Sequence, residues 1–412
     1  MIYDIIIVGS GMSGLYSALK IKEFSLHTSF LILEKYKKNW IGGRTSNDNF
    51  YGVEIVTGAG IGRKDTNPLL IKLMKQLNIH YTEYNSIMNY SKTFTPIDIM
   101  KLINKLKIEY KKHPELHNKT FKEFFIKILG NNLYKQFLIS AGYTDYENAD
   151  IHETIYNYGM DDNKGGWTGL HVPWKKIVDK LYKVIGKEHF RFSSDVIEIN
   201  KTKNNPCLFE IKTENKIYYS NRVIVATTIS GIKKLVPGAS DKDSLYQQIH
   251  GQPFLRLYAK FDKKSSEILK KYVTNYTIVS GPLQKIIPID ADKGVYMIAY
   301  SDNNSAIALK NNLENNSENR NLYSKLIAKS LGIPEDSLKI ISIKDYYWPI
   351  GTHYYEPLKN FKTREEFVYK AQHPVNGMLV VGEVISRYQG WTEGALESVK
   401  EVVTKKWVQT SC

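Results

Sequence analysis

Residues 4–14 read Asp-Ile-Ile-Ile-Val-Gly-Ser-Gly-Met-Ser-Gly, a short apolar run of buried-strand type that breaks into Gly9-x-Gly11-x-x-Gly14. The spacing predicts a strand, a tight turn and the opening of a helix. Gly9 permits the turn, Gly11 lets the backbone approach a pyrophosphate with no Cβ in the way, and Gly14 lets the helix lie close on the sheet. The helix N-terminus then turns free N–H groups and its dipole toward the phosphates, so Gly9, Gly11, Ser13 and Gly14 are candidate dinucleotide-binding residues. The context agrees. Leu15, Ala18 and Leu19 continue a helical pattern, and a second apolar run, Phe30-Leu-Ile-Leu, ends in Glu34. That carboxylate stands about twenty residues past the last glycine, where such folds place an acceptor for ribose hydroxyls.

A chain of 412 residues, 42% hydrophobic and 24% charged, has the composition of a globular protein large enough for two domains. No apolar run approaches the roughly 20 residues of a membrane helix. The apolar start has no basic region ahead of it, so a secretory signal is not expected and a cytoplasmic location is. The two cysteines, Cys207 and Cys412, lie far apart, which argues against a disulfide framework or a thiolate metal site; no metal is expected. The net charge of +15 comes from dispersed lysine pairs such as Lys111-Lys112 and Lys405-Lys406, without an arginine–aromatic stripe. That dispersal argues against nucleic acid as the main partner, while the long-range field favours anionic substrates. In the segment Ile97–His113, Ile99, Leu102, Ile103 and Leu106 share one face and Lys101, Lys105 and Lys112 fall off it, a solvated helix over a buried stripe.

Residues 1–75 read as strand, helix, strand, then loop and helix. Pro96 to Lys183 is mainly helical, including the runs 121–129 and 174–184. Strand patterns follow at 190–192, 196–199, 208–211 and 217–219, and Arg222-Val-Ile-Val-Ala-Thr resembles a buried parallel strand returning to the first unit. Alternating segments at 255–261 and 285–289 suggest a second sheet, interrupted by a helix over 322–331. The end returns to a strand at 378–381, Gly382-Glu383, and a helix from about Thr392 to Trp407. The expected fold class is α/β: a discontinuous Rossmann-like dinucleotide domain (1–75, 190–235, 370–412) plus an α+β substrate domain (76–189, 236–369) with a mixed sheet and a helical segment.

Three further clusters carry chemistry. In Gly42-Gly43-Arg44 the glycines allow close backbone approach, and Arg44 can pair with an anionic oxygen. Val196-x-x-Ile199 and the 223–226 run, ending in Ala226, suit the wall of an adenine. Glu383, after Gly382, can take hydroxyls, and the helix opening at Trp391-Thr392 can face an edge that gains negative charge on reduction.

Together, GxGxxG, Glu34, Gly42-Gly43-Arg44 and Gly382-Glu383 with Gly390-Trp391-Thr392-Glu393-Gly394-Ala395 resemble the flavin-containing amine oxidases (monoamine, polyamine and L-amino-acid oxidases). Gly165-Gly166 and the 253–261 strand are looser landmarks of the same likeness. The resemblance implies FAD, with Gly60 and Ile61 among its contacts, and removal of a hydride from the carbon next to an amine. An imine and, with molecular oxygen, hydrogen peroxide would follow. The run Gly58-Ala-Gly60-Ile-Gly62 is not a second dinucleotide motif, because Arg63 holds the third glycine position. Related C–C desaturases and porphyrinogen-type oxidases share these motifs, and a low-turnover flavin-binding scaffold is a further alternative.

For catalysis, the resemblance implies an aromatic cage, with Trp391 at one position and Tyr354 or Tyr355 at the other. Arg256, a catalytic candidate, matches a family lysine near the flavin, but a guanidinium is bulkier and cannot act as a base; a flavin contact and a surface arginine paired with a carboxylate are both open. Arg63 falls near a carboxylate-binding arginine of amino-acid oxidases, shifted by two residues. His353 reads as a loop residue with no special role. No cysteine lies near 351–355, so the FAD is expected to be non-covalent. Amine or amino-acid substrates and oxygen are the expected partners, and a homodimer is compatible with the sequence.

Overall fold

The computed structural model describes residues 2–158, 160 and 165–410; Cys412 lies outside them. Its first sheet is built around the opening motif. The N-terminal strand Ile2–Val8 lies between Phe30–Leu33 and Ile217–Val225, parallel to both. Met378–Val380 adds a parallel strand beyond Val223–Val225, and Phe190–Arg191 one beyond Phe30–Leu33. Parallel strands buried on both faces read as continuous apolar runs, which is why Ile5, Ile6 and Ile7 all have no exposed surface. An antiparallel pair, Val196–Thr202 and Asn205–Thr213, extends the sheet from the lower half of the long strand 217–225. The runs 217–219 and 222–225, read separately in the sequence, are one strand.

The helix Met12–Phe24 packs on this sheet with Thr392–Val402 and Trp174–Ile185 beside it, sharing one core that includes Leu15, Trp174 and Leu396. The helix Trp174–Ile185 thus packs with the dinucleotide sheet, although its residues fall within the 76–189 segment assigned to the substrate half. The expected C-terminal helix is two, Thr392–Val402 and Lys405–Gln409.

The second sheet is mixed and six-stranded. Ile249–Phe261 runs antiparallel between Ile340–Tyr355 and Val295–Asp302; Lys285–Asp290, Tyr276–Ile278 and Met88–Tyr90 complete it. Ile340–Tyr355 is an edge strand, which is where Pro349 is tolerated, since a proline has no N–H to give a ladder. Around that proline three residues, 349–351, oppose one across the register shift between Phe254↔Trp348 and Gln252↔Thr352. Beside this sheet sits a helical unit, Ile99–Lys112, Phe121–Leu129 and Asn131–Ala141, with its own aromatic core of Phe121, Phe124, Phe125 and Phe137. The stripe Ile99, Ile103 and Leu106 is buried there as its spacing predicts. Among the described residues no helix is long and apolar enough to cross a membrane.

Candidate functional site

Four parallel strands end at the same edge of the first sheet, and the residues after each are those the motifs single out: Gly9–Gly11, Glu34, Ala226 and Gly382-Glu383. Carboxyl ends of parallel strands are where open α/β sheets bind ligands. A Cβ on Gly9 would fall 2.5 Å from the Ala226 carbonyl oxygen, and one on Gly14 would fall 2.0 Å from that of Gly9. These two glycines therefore seat the helix on the sheet. Gly11 differs: a Cβ there would meet nothing within 4 Å, so its backbone faces open space. It caps the helix Met12–Phe24 without a side-chain acceptor, leaving the first N–H groups for an anion. The Glu34 carboxylate is aimed by three donors, Ser10 N–H at 2.8 Å, Ser10 Oγ at 2.7 Å and Tyr36 N–H at 2.9 Å.

The edge opens into a cavity of about 1520 Å³ that continues to the second sheet. A pocket for one small molecule is about 300–1,000 Å³, so this one has room for a dinucleotide and a further ligand. Of the cofactor-binding residues expected from sequence, Gly9, Gly11, Ser13, Glu34, Gly43, Arg44, Gly60 and Ile61 line it. So do Val196, Ala226, Gly382, Glu383, Trp391 and Thr392. Gly14 does not; its place is under the helix.

Arg44 and Glu383, expected to meet a ligand separately, meet each other, Nη1 to Oε1 at 2.9 Å, and the same Nη1 donates to the Gly351 carbonyl at 2.6 Å. The third member of the cluster is His353. It lies in the edge strand, not in a loop, is 3% exposed, and donates from Nδ1 to Glu383 Oε1 at 2.5 Å. The Ile229 N–H donates to its Nε2 at 3.2 Å, which fixes the proton on Nδ1. Gly390 N–H donates to Glu383 Oε2 at 3.0 Å. Burial raises the Glu383 carboxyl, but the His353 ring, the Arg44 guanidinium and the Gly390 N–H outweigh it and hold the group well below the usual carboxylate range. This buried carboxylate joins residue 44 to the 382–392 turn and to the second sheet.

Arg256 is buried and lines the cavity from the central strand of the second sheet. Its Nε donates to the Gly58 carbonyl at 2.6 Å and its guanidinium lies 4.2 Å over the Tyr300 ring. It is thus neither on the surface nor, among the described residues, in an ion pair with a carboxylate. Trp391 lines the cavity too, and the Arg63 guanidinium is stacked between it and Trp167, 4.8 and 4.7 Å from the ring centroids. Arg63 itself lies behind these rings and not on the cavity wall.

Tyr354 and Tyr355 are not brought to the cavity. Both follow Thr352, the last residue of the edge strand that lines the cavity. Tyr354 stacks on His250, while Tyr355 is buried in the dinucleotide-side core, its hydroxyl donating to the Ser386 carbonyl at 3.1 Å and its ring against Phe367. The rings that do reach the cavity from this sheet are Phe254, Tyr276, Tyr300, Tyr347 and Trp348. Trp348, six residues before Tyr354, is held by a bond from Nε1 to the Thr57 carbonyl at 2.8 Å.

A dinucleotide-type edge continuous with an aromatic cavity defines a cofactor-bearing oxidoreductase architecture. The family model for flavin-containing amine oxidoreductases matches residues 12–404, and the chain belongs to that family. It is a flavin-dependent oxidoreductase of the amine-oxidase type. Among solved structures, wild-type putrescine oxidase bound to putrescine superposes with a TM-score of 0.74 at 14% identity, covering 98% of each chain. Cyclohexylamine oxidase from Brevibacterium oxydans gives the same TM-score of 0.74, identity of 14% and coverage of 98% of each chain. At that identity the likeness establishes the shared fold. Among curated proteins none matches the chain in sequence.

Proposed function

We propose that this protein is an oxidase that holds FAD non-covalently and oxidises the carbon next to the nitrogen of an amine or L-amino acid. The imine is hydrolysed by water, and oxygen is reduced to hydrogen peroxide. One observation carries the reading: the cavity is continuous from the glycine turn and Glu34 at one end to Trp391, Arg256 and Tyr300 at the other. The Gly9–Ser13 backbone would hold the diphosphate, Glu34 the ribose hydroxyls, and Val196 and Ala226 the adenine. Gly43, Gly60, Ile61, Gly382 and the helix start at Thr392 would border the flavin end. When bound there, FAD supplies the two-electron acceptor. No cysteine lines the cavity among the described residues, in keeping with non-covalent binding.

In this reading 1–75, 190–235 and 370–412 form the FAD-binding half, joined by the helix Trp174–Ile185, and the remaining segments form the substrate half. Arg256 presents a cation to the cavity, and the net charge of +15 adds a field of the same sign. Both favour a substrate that carries a carboxylate, such as an amino acid, over a polyamine. The test is direct: record the flavin spectrum of the purified protein anaerobically and add amines, amino acids and polyamines in turn. Bleaching by one class, with peroxide on admitting air, is expected. A yellow protein that no amine reduces would overturn the reading.

A further inference from the structure

Asp145 follows the helix Asn131–Ala141 and lies in a wall between two spaces. With Tyr158, Thr352, Gln389 and Gly390 it lines both the large cavity and a second chamber of about 50 Å³. That volume accommodates a few waters. Gln252 Nε2 donates to the Asp145 carbonyl at 2.6 Å and to Thr352 Oγ1 at 3.3 Å, which fixes this wall against the Gly390-Trp391 turn. Asp145 therefore stands beside the aromatic end of the cavity, and no motif marks it in the sequence.

Its neighbour Asp302 is engaged differently. Asp302 accepts from the Thr144 N–H at 3.0 Å, Thr144 Oγ1 at 2.6 Å, the Asp145 N–H at 3.2 Å and Gln284 Nε2 at 2.8 Å, the pattern of an acceptor-only group. The Asp145 carboxylate has the Tyr158 hydroxyl as its donor. Behind both, the Lys285 amine is fully buried, 2.7 Å from the centre of the Tyr143 ring, with no hydrogen bond among the described residues. Around the small chamber the other titratable groups are Glu153, Tyr146, His353, Tyr354, Tyr355 and Arg387.

Resting on the amine-oxidase reading, we propose that the Asp145 carboxylate takes the proton from the substrate ammonium and that Tyr158 and the small chamber lead it out. An ammonium has no lone pair with which to form a C=N bond, so it must lose a proton first. The N–H bond breaks as an O–H bond forms on Asp145; the electron pair stays on nitrogen, giving a neutral amine and a carboxylic acid. The acid then yields its proton to water in the chamber and returns to carboxylate. Burial, and then the Asp302 carboxylate, push the Asp145 carboxyl up to about 7, against the opposing effects of the Tyr158 hydroxyl and Lys285. A group poised near neutrality can both accept and release a proton.

Two measurements on the full-length flavoprotein test this. In infrared difference spectra across pH, the wild type should show a carboxylic-acid band titrating near pH 7 that is missing in Asp145→Asn and shifted in Tyr158→Phe. In anaerobic flavin bleaching by an amine that reduces the protein, the wild-type rate should rise through a limb near pH 7. Asp145→Asn should lose that limb and slow bleaching at neutral pH by roughly 100-fold or more. Asp145→Glu should restore both band and limb at a displaced midpoint, and it carries the test if the Asn variant does not fold. Glu397, whose carboxyl burial also pushes up to about 7, contributes alike to both proteins, so a limb that persists in Asp145→Asn, or a wild-type-minus-variant infrared difference with no carboxylic-acid band, overturns the assignment of Asp145 alone. A protein that no amine bleaches overturns the amine-oxidase reading and this proposal with it.

Discussion

Replacing Glu383 with Gln should cost about 3 kcal/mol of stability, through groups that can be counted. The carboxylate accepts from Arg44, His353 and the Gly390 N–H, three donors on two oxygens. A glutamine has one oxygen and one NH2, so whichever way it turns, a donor faces a donor. A buried donor left without an acceptor costs about 1–3 kcal/mol. Loss of the charge adds to this, less than the full worth of a buried pair because 29% of the Arg44 side chain is exposed. The acid dependence has a definite sign. The folded-state carboxyl is held below the ordinary glutamate value of 4.5, so its stabilisation is fully present above that pH and is lost as pH falls below it. Urea unfolding of both proteins from about pH 8 to pH 3 should show a constant gap down to about pH 5 that narrows on further acidification. A gap under about 0.5 kcal/mol at neutral pH, or one that widens with acid, would refute the account of this cluster.

Other substitutions separate binding from packing. Arg256→Met should weaken use of a carboxylate-bearing substrate by about 2 kcal/mol, roughly 30-fold in kcat/KM, with Arg256→Lys recovering part of it; equal kinetics in all three proteins would make Arg256 structural. Gly14→Ala drives a methyl to 2.0 Å from the Gly9 carbonyl oxygen and should yield a destabilised, flavin-poor protein. Normal flavin content and melting temperature would contradict the seating role of that glycine. Tyr355→Phe removes only the bond to the Ser386 carbonyl, so stability should fall by about 1 kcal/mol with turnover unchanged; a cage role would instead show as lost turnover.

The opening strand, turn and helix were legible because their determinants are local: an apolar run, glycines at fixed offsets, and Glu34 one strand later. Gly382-Glu383 and Thr392 were legible for the same reason, as the last strand–helix step of the same sheet. His353 was not. Its value comes from Glu383, 30 residues on, and from an edge strand that continues through Pro349, which a sequence reading takes for a loop. The tyrosines failed on the same strand: residues 348–352 of it line the cavity, and Tyr354 and Tyr355 lie just past them. Arg256 was singled out by its match to a family lysine, but its contacts with the Tyr300 ring and the Gly58 carbonyl are announced by no local pattern. Asp145 follows a helix in an otherwise ordinary polar turn, and only the packing of four separate segments sets it between two spaces.

The salt bridge between Arg44 and Glu383 has a consequence for synthesis. The glycine turn leaves the ribosome some two hundred residues ahead of the strand beside it, Ile217–Val225, and further still ahead of the turn bearing Glu383. The nascent chain must therefore carry an unfinished cradle until those later segments emerge, with its apolar strands Ile2–Val8 and Phe30–Leu33 short of lateral partners. On the proposed flavin site, yellow colour becomes a readout of synthesis past residue 383. Chains that stall before residue 383 should emerge colourless and dependent on chaperones, however intact their first seventy residues.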